Sequence, residues 1–245
     1  MGRRLTTDAP LIVYGVNAVT GLLQAGAPID RLLVAPGRAA QPIASLARAR
    51  GIRCEEADRA TLDRAAGTAH HQGAVATTAP YRYADLDEVR AAGRGVLLLD
   101  SVQDPRNLGA ILRTARAVGI GGVVLPHDRS VGITSVVVAA SAGCLFGLPI
   151  ARVTNLVRTM ELLKATDYWL VGLVPGVERS LYELPAIEKP ALVVGGEGEG
   201  LRALVRRSCD FEVTLPMAAG VESLNVSVAT GVALYELCVR SRRDT

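Results

Sequence analysis

Residues 96–125 read VLLLDSVQDPRNLGAILRTARAVGIGGVVL, and this stretch decides the architecture. Val96 to Leu99 are apolar on both faces of an extended chain, the pattern of a strand in the middle of a parallel sheet covered by helices. Asp104-Pro105 forces a turn, Asn107 can cap the helix that follows, and Gly109 allows close backbone approach. Arg113 falls six residues after Asn107, within the first two helical turns, and Arg116 comes three residues later. GGVVL (121–125) is the next strand. A buried strand, a helix and a second buried strand form the repeating unit of an α/β domain.

The alternation continues toward the C-terminus. Between Ser130 and Ala151 no residue is charged, but Gly132, Ser135, Ser141, Gly143, Gly147 and Pro149 dilute the run. A membrane span needs about 20 strongly apolar residues, so this is read as a buried helix of small residues, a turn and a strand. LPIARV, NLVRTMELLKA, YWLVGLV, ALVVG, LRALVRR and FEVTL follow as strand, helix, strand, strand, helix and strand. A final helix is expected from about Leu224 to Arg240.

Upstream lies a smaller alternating unit. Its elements are a helix from Asn17 (as N-cap) to Gln24, a strand at RLLVA, a helix at IASLARAR, a strand at IRCEE, a helix at DRATLDRAA and a strand at GAVATTA. Asp58 should cap the third helix and Gly67 should stop it. The segment PYRYADLDEVRAAGRG is polar and irregular at both ends. The expected organisation is therefore residues 1–80, a linker at 81–95, and a larger α/β domain with a mainly parallel sheet at 96–245.

Composition supports a globular chain. Of 245 residues, 49% are hydrophobic, which is ample for a core. Cys54, Cys144, Cys209 and Cys238 are scattered, without a CxxC pair or partnering histidines, so neither a metal site nor a redox motif is readable. A reducing cytoplasm is expected, with no membrane anchor. The net charge of +3 falls wholly in the first 80 residues, and every basic residue except Lys164 and Lys189 is arginine. Arginine suits phosphate recognition, although an arginine-favouring codon composition gives the same bias.

Ligands of open α/β sheets bind beyond the carboxyl ends of the strands, and three loops there carry functional groups. The first holds Asn107 and Arg113. The second, ALVVGGEGEGL (191–201), places Gly195, Gly196, Glu197, Gly198, Glu199 and Gly200 between a strand and a helix. Its glycine spacing is GxGxG, not the GxGxxG of a dinucleotide fold, and no Lys-Ser/Thr follows. Two carboxylates would oppose a pyrophosphate, whereas a nucleoside bearing positive charge suits the turn; a tight turn that simply needs glycine is the other reading. The third loop runs from Leu215-Pro216-Met217 to Ser223, Leu224, Asn225 and Ser227, where Ser223 or Asn225 is a natural cap for the last helix.

Taken together, Asn107-Leu-Gly-Ala-Ile-Leu-Arg113, Gly195-Gly-Glu197-Gly-Glu-Gly200 and Leu215-Pro-Met217 through Ser223-Leu-Asn225-Val-Ser227 resemble the three motifs of the SpoU (TrmH) family of RNA ribose 2'-O-methyltransferases, in the SPOUT class. Tyr14-Gly15 and His71-Gln72-Gly73 resemble the family's L30e-like substrate-binding unit; the His70-His71 pair is given no chemistry. Within the family the chain looks most similar to bacterial enzymes that methylate a 23S rRNA guanosine. The resemblance implies a deep trefoil knot, S-adenosylmethionine held by Gly195, Gly196, Leu215 and Leu224, a homodimer, and an RNA substrate. It also implies a reaction centre at Arg113 with Asn107, Glu197, Ser223 and Asn225, the last four fixing Arg113 and the ribose. The alternatives are a tRNA enzyme or an rRNA adenosine resistance methylase of the same family, a non-catalytic RNA-binding protein, and a nicotinamide-dependent oxidoreductase. The last is disfavoured by the glycine spacing.

Overall fold

A computed structural model describes residues 5–7, 9–37, 40–91 and 95–239. Arg3, Arg4 and Arg38 of the basic first third, residues 92–94 of the expected linker, and Arg240 at the expected end of the last helix lie outside them.

Six strands form one sheet: β5 (Val96–Asp100), β6 (Gly122–Pro126), β7 (Ile150–Val153), β8 (Trp169–Leu173), β9 (Pro190–Gly195) and β10 (Phe211–Val213). Their order is β10-β8-β9-β5-β6-β7, and every pairing is parallel. Alternation sorts the strand residues onto two faces. Leu97, Leu99, Val123, Leu125, Leu192 and Val194 pack on one side with α5 (Pro105–Val118), α6 (Ser135–Ala140) and α9 (Val226–Cys238). Val96, Leu98, Val124, Ala191 and Val193 face α4 (Leu86–Ala91), α7 (Leu156–Lys164) and α8 (Ala203–Arg207). The strands are buried on both faces, as their composition requires.

The N-terminal sheet joins β1 (Leu11–Tyr14), β2 (Arg31–Val34), β3 (Cys54–Glu56) and β4 (Ala74–Thr78) in the order β1-β4-β2-β3. Strand β1, hidden in the apolar run LIVY, pairs antiparallel with β4; β2 pairs antiparallel with β4 and parallel with β3, so the sheet is mixed. Helices α1 (Val16–Gln24), α2 (Gln41–Ala49) and α3 (Arg59–Ala66) complete the unit. Asp58 caps α3 through Thr61 N–H at 2.8 Å, and Gly67 ends it in the left-handed region, both as expected. Asn17 does not cap α1. The cap position falls two residues earlier, at Gly15 (φ 97°), the helix begins at Val16, and the side-chain Oε1 of Gln72 accepts from Val16 N–H at 3.3 Å. A loop 56 residues away thus does what a local side chain was expected to do. His71 shapes that loop: its Nδ1 accepts from Gly73 N–H at 2.9 Å, which leaves Nε2 to donate to Asp63.

The two sheets share one core. Leu11, Val13, Ala18 and Leu22 belong to the same cluster as Val137, Val138 and Leu145. Helix α1 crosses the turn before residues 144–147 so closely that a Cβ on Gly21 would meet the Gly143 carbonyl at 2.9 Å. A Cβ on Gly143 would in turn meet the Ala18 carbonyl at 2.7 Å.

Candidate active site

Strand order reverses direction between β5 and β9, the switch point where α/β sheets form their crevice. The turn after β9 folds back on itself, with Gly196 and Gly200 paired as an antiparallel bridge. Glycine is required here: a Cβ on Gly195 would overlap Gly200, and one on Gly196 would overlap the carbonyl of Ser101. The glycine turn is therefore pressed against the loop that follows β5.

Four residues join these loops to the last helix. Asn225 caps α9, its Oδ1 accepting from Ser227 N–H at 2.9 Å and from Ser227 Oγ at 2.6 Å. Its Nδ2 donates to Asn107 Oδ1 at 3.1 Å, and Asn107 Nδ2 donates to Glu197 Oε1 at 2.9 Å. The helix N–H groups at one end and an acceptor-only carboxylate at the other fix the direction of both amides. Glu197 also accepts from the backbone N–H groups of Gln103 at 3.3 Å and Asp104 at 3.4 Å. Burial pushes its carboxyl up, but the Asn107 amide and the backbone N–H groups of Glu197, Gln103 and Asp104 outweigh this and hold it below the usual range.

Several expectations change. Asn107 is not the cap of α5; Asp104 is, accepting from Arg106 N–H at 2.7 Å with Pro105 as the first helical residue. That earlier start leaves the Asn107 side chain free to bridge Glu197 and Asn225. It also moves Arg113 into the third turn, where the side chain is exposed and makes no hydrogen bond or ion pair among the described residues. None of Asn107, Glu197, Ser223 and Asn225 touches it. Gly109 permits a close approach between helices, since its Cβ would overlap that of Ala140 on α6. For the last helix Asn225, not Ser223, is the cap, and the helix begins at Val226.

A cavity of about 420 Å³ opens beside this network. Gly195, Gly196, Glu197, Gly198 and Gly200 form one wall, Leu173, Val174 and Pro175 another, and Thr214, Leu215, Met217, Ser223, Leu224, Asn225, Val226 and Ala229 the rest. Gly195, Gly196, Leu215 and Leu224 thus share one cavity with Glu197, Ser223 and Asn225. Asn107 reaches them by hydrogen bonds, and Arg113 lies outside the wall. Among the described residues no lysine or arginine lines the cavity, and the one carboxylate there, Glu197, is turned toward Gln103, Asp104 and Asn107. Glu199 is not part of the wall. Backbone amides, apolar side chains and the absence of a cation suit a nucleoside that carries positive charge and no phosphate.

Sequence reasoning passed over Asp100 and Arg202. Asp100 closes β5, fully buried, and takes Arg202 Nε at 2.7 Å, Arg202 Nη2 at 2.6 Å and the Arg202 backbone N–H at 2.9 Å. The signal was present: a charge ending an otherwise wholly apolar strand demands a partner.

Comparisons with known proteins agree with this geometry. The profile of the SpoU rRNA Methylase family matches residues 94–235, and that of RNA 2'-O ribose methyltransferase substrate binding matches residues 12–84. The chain is 38% identical over 240 residues to the 23S rRNA (guanosine-2'-O-)-methyltransferase RlmB of Escherichia coli (strain K12), covering 94% of this chain and 98% of that one. Among solved structures, the SpoU methyltransferase AviRb from Streptomyces viridochromogenes in complex with AdoMet superposes with a TM-score of 0.80 at 26% identity, covering 97% of this chain and 92% of the other. The AdoMet-bound rRNA methyltransferase from Sinorhizobium meliloti gives 0.79 at 27%, covering 96% and 88%. With a profile spanning more than half its length and a relative at this identity along nearly all of it, the chain belongs to the SpoU rRNA methylase family.

Proposed function

We propose that this protein transfers a methyl group from S-adenosylmethionine to the 2'-oxygen of a ribose in RNA, the substrate being a guanosine of 23S rRNA. The observation that carries this is the cavity at the β5/β9 switch point, lined by the second and third motif loops, tied to the first by the Asn107 hydrogen bonds, and free of lysine and arginine among the described residues. Membership of the family, the RlmB relative and the AdoMet-bound neighbours support the donor and the substrate.

S-adenosylmethionine, when bound, supplies a methyl group on a sulfonium, already a good leaving centre. The protein's part is to align the ribose oxygen and help it lose a proton. Gly195, Gly196, Leu215 and Leu224 would hold the donor by backbone groups while the apolar wall excludes water. Asn107, Glu197 and Asn225 lock the loops, and Ser223 borders the opening toward the ribose. Arg113 would orient the hydroxyl and stabilise the developing oxyanion. A guanidinium does not give up its proton in proteins and so is a poor base; a substrate phosphate or water takes the proton.

The wider organisation belongs to the same proposal. Residues 1–80 form an L30e-like RNA-binding unit, 81–95 link it, and 96–245 carry the methyltransferase with a trefoil knot at its C-terminal loops. The protein acts in the cytoplasm as a homodimer. Support for the dimer comes from α9, which is mostly apolar and leaves Val228, Val232 and Tyr235 exposed along a groove shared with Ala110 and Thr114 of α5, with Ser227 and Glu236 also in its lining. Arg113 lies between those two α5 residues in sequence. No described helix is long and apolar enough to cross a membrane. The test is to map 2'-O-methyl sites in total RNA from cells with and without the protein. A single 23S guanosine that loses its mark is expected; an unchanged 23S map with a lost tRNA mark would move the substrate, and no change anywhere would leave a binder.

A further inference from the structure

We infer that Asp100 and Arg202 are a positioning pair that sets the glycine turn against the methyl donor, so that breaking the pair weakens donor binding and leaves the transfer step intact. This rests on the methyl-transfer reading above. Asp100 stands opposite Gly195 in the β5·β9 ladder, at the point where the chain enters the turn. Arg202 is the second residue after the Gly196–Gly200 bridge closes, at the point where the chain leaves it. One residue, Asp100, therefore meets both stems, the entry through its backbone and the exit through its buried carboxylate. The ladder fixes the entry, and the exit is held by Nε at 2.7 Å, Nη2 at 2.6 Å and the backbone N–H at 2.9 Å.

Neither residue lines the cavity, so the pair acts through the turn. A carboxylate with no exposed surface cannot exchange these donors for water without opening the structure. Its partner is thus required whenever the turn is closed. The neighbouring pair Arg206–Glu212 shows the contrast. It is equally short, at 2.6 Å, and joins α8 to β10, but its carboxylate is partly open to solvent, unlike that of Asp100, and neither residue lines the cavity. Water screens such a pair and its loss is of little consequence. The guanidinium fork also matters: two donors converge on one oxygen while the main chain stays in place, which a lysine cannot reproduce.

The experiment compares wild type, Arg202→Ala, Arg202→Lys and the control Arg206→Ala. It measures methyl transfer to ribosomal RNA, calorimetric binding of S-adenosylhomocysteine, and folded fraction by circular dichroism. For Arg202→Ala the KM for S-adenosylmethionine and the Kd for S-adenosylhomocysteine are expected to rise about tenfold or more, with kcat per folded molecule within about threefold. Arg202→Lys should fall between Ala and wild type, and Arg206→Ala should match wild type. Unchanged KM and Kd in both Arg202 variants would overturn the inference, as would a loss of activity that tracks folded fraction alone. A wild-type chain that binds no S-adenosylhomocysteine would overturn the methyl-transfer reading itself, and the inference with it.

Discussion

Asn107 and Arg113 stand on one helix, six residues apart, in opposite circumstances. At 3.6 residues per turn they point about 120° apart. Asn107 is half-buried and hydrogen-bonded at both ends of its amide, to Glu197 and Asn225. Arg113 is exposed, with no partner among the described residues. The difference teaches that the two sides of the site are built by different means. On the proposed reading, the donor side is held together within one chain by these hydrogen bonds, so little ordering would remain to be done there on binding. The ribose side would offer one long cation that gains its geometry from what arrives: RNA, and in the proposed dimer a second copy.

The sharpest way to break this contrast is Arg113→Ala. Turnover should fall by at least about 10²–10³, the cost of losing one stabiliser of a developing oxyanion. S-adenosylhomocysteine should bind within about twofold of wild type, measured by calorimetry. Near-normal methylation would remove Arg113 from the chemistry. The next largest effect is expected at the other pole. Glu197→Ala leaves the Asn107 amide and two backbone N–H groups without their acceptor, and at this solvent-accessible network each lost hydrogen bond costs about 0.5–1.5 kcal/mol. Donor affinity should drop about tenfold to a hundredfold in the same titration, while kcat at saturating donor falls far less. If instead kcat collapsed and affinity held, the division between the two sides would be wrong.

A smaller change tests the helix that joins them. In Gly109→Ala the new Cβ would overlap Ala140, and overpacking of this sort costs about 1–3 kcal/mol. Thermal unfolding should shift down by several degrees, at about 2–4 °C per kcal/mol for a chain of this size, with both ends of α5 weakened together. The smallest effect is with pH. The Glu197 carboxyl is held low when folded, so its stabilisation is complete above the unfolded value of about 4.3 and is lost as pH falls through the lower folded value. Unfolding temperatures of wild type and Glu197→Gln, followed from pH 7 to pH 3, should converge only at the acid end.

Much of this was legible in the chain. VLLLD announced a strand buried on both sides, and the resemblance of the loops to the family's motifs pointed to Gly195, Gly196, Glu197, Leu215, Ser223, Leu224 and Asn225 as one site. What stayed hidden were partnerships across long stretches of sequence. Asn107 looked like a cap because capping is the commonest task of an asparagine before a helix; only the competing Asp104-Pro105 start, combined with Glu197 90 residues away, releases it. Asn17 was misjudged in the same way, since the cap of α1 arrives from Gln72. Strand β1 was missed because four apolar residues before a glycine carry no period that distinguishes strand from helix. The Asp100–Arg202 pair spans 102 residues, and nothing local names the partner.

The interlocked glycines at positions 21 and 143 carry a mechanical consequence. Because backbone rests on backbone there, with no side chain between, the small sheet could swing on the large one only by breaking this contact. RNA gripped by the first unit would then be presented to the cavity at a fixed distance and angle, like a workpiece in a jig, and the reach of the enzyme would be set by the length of that rigid span rather than by any hinge.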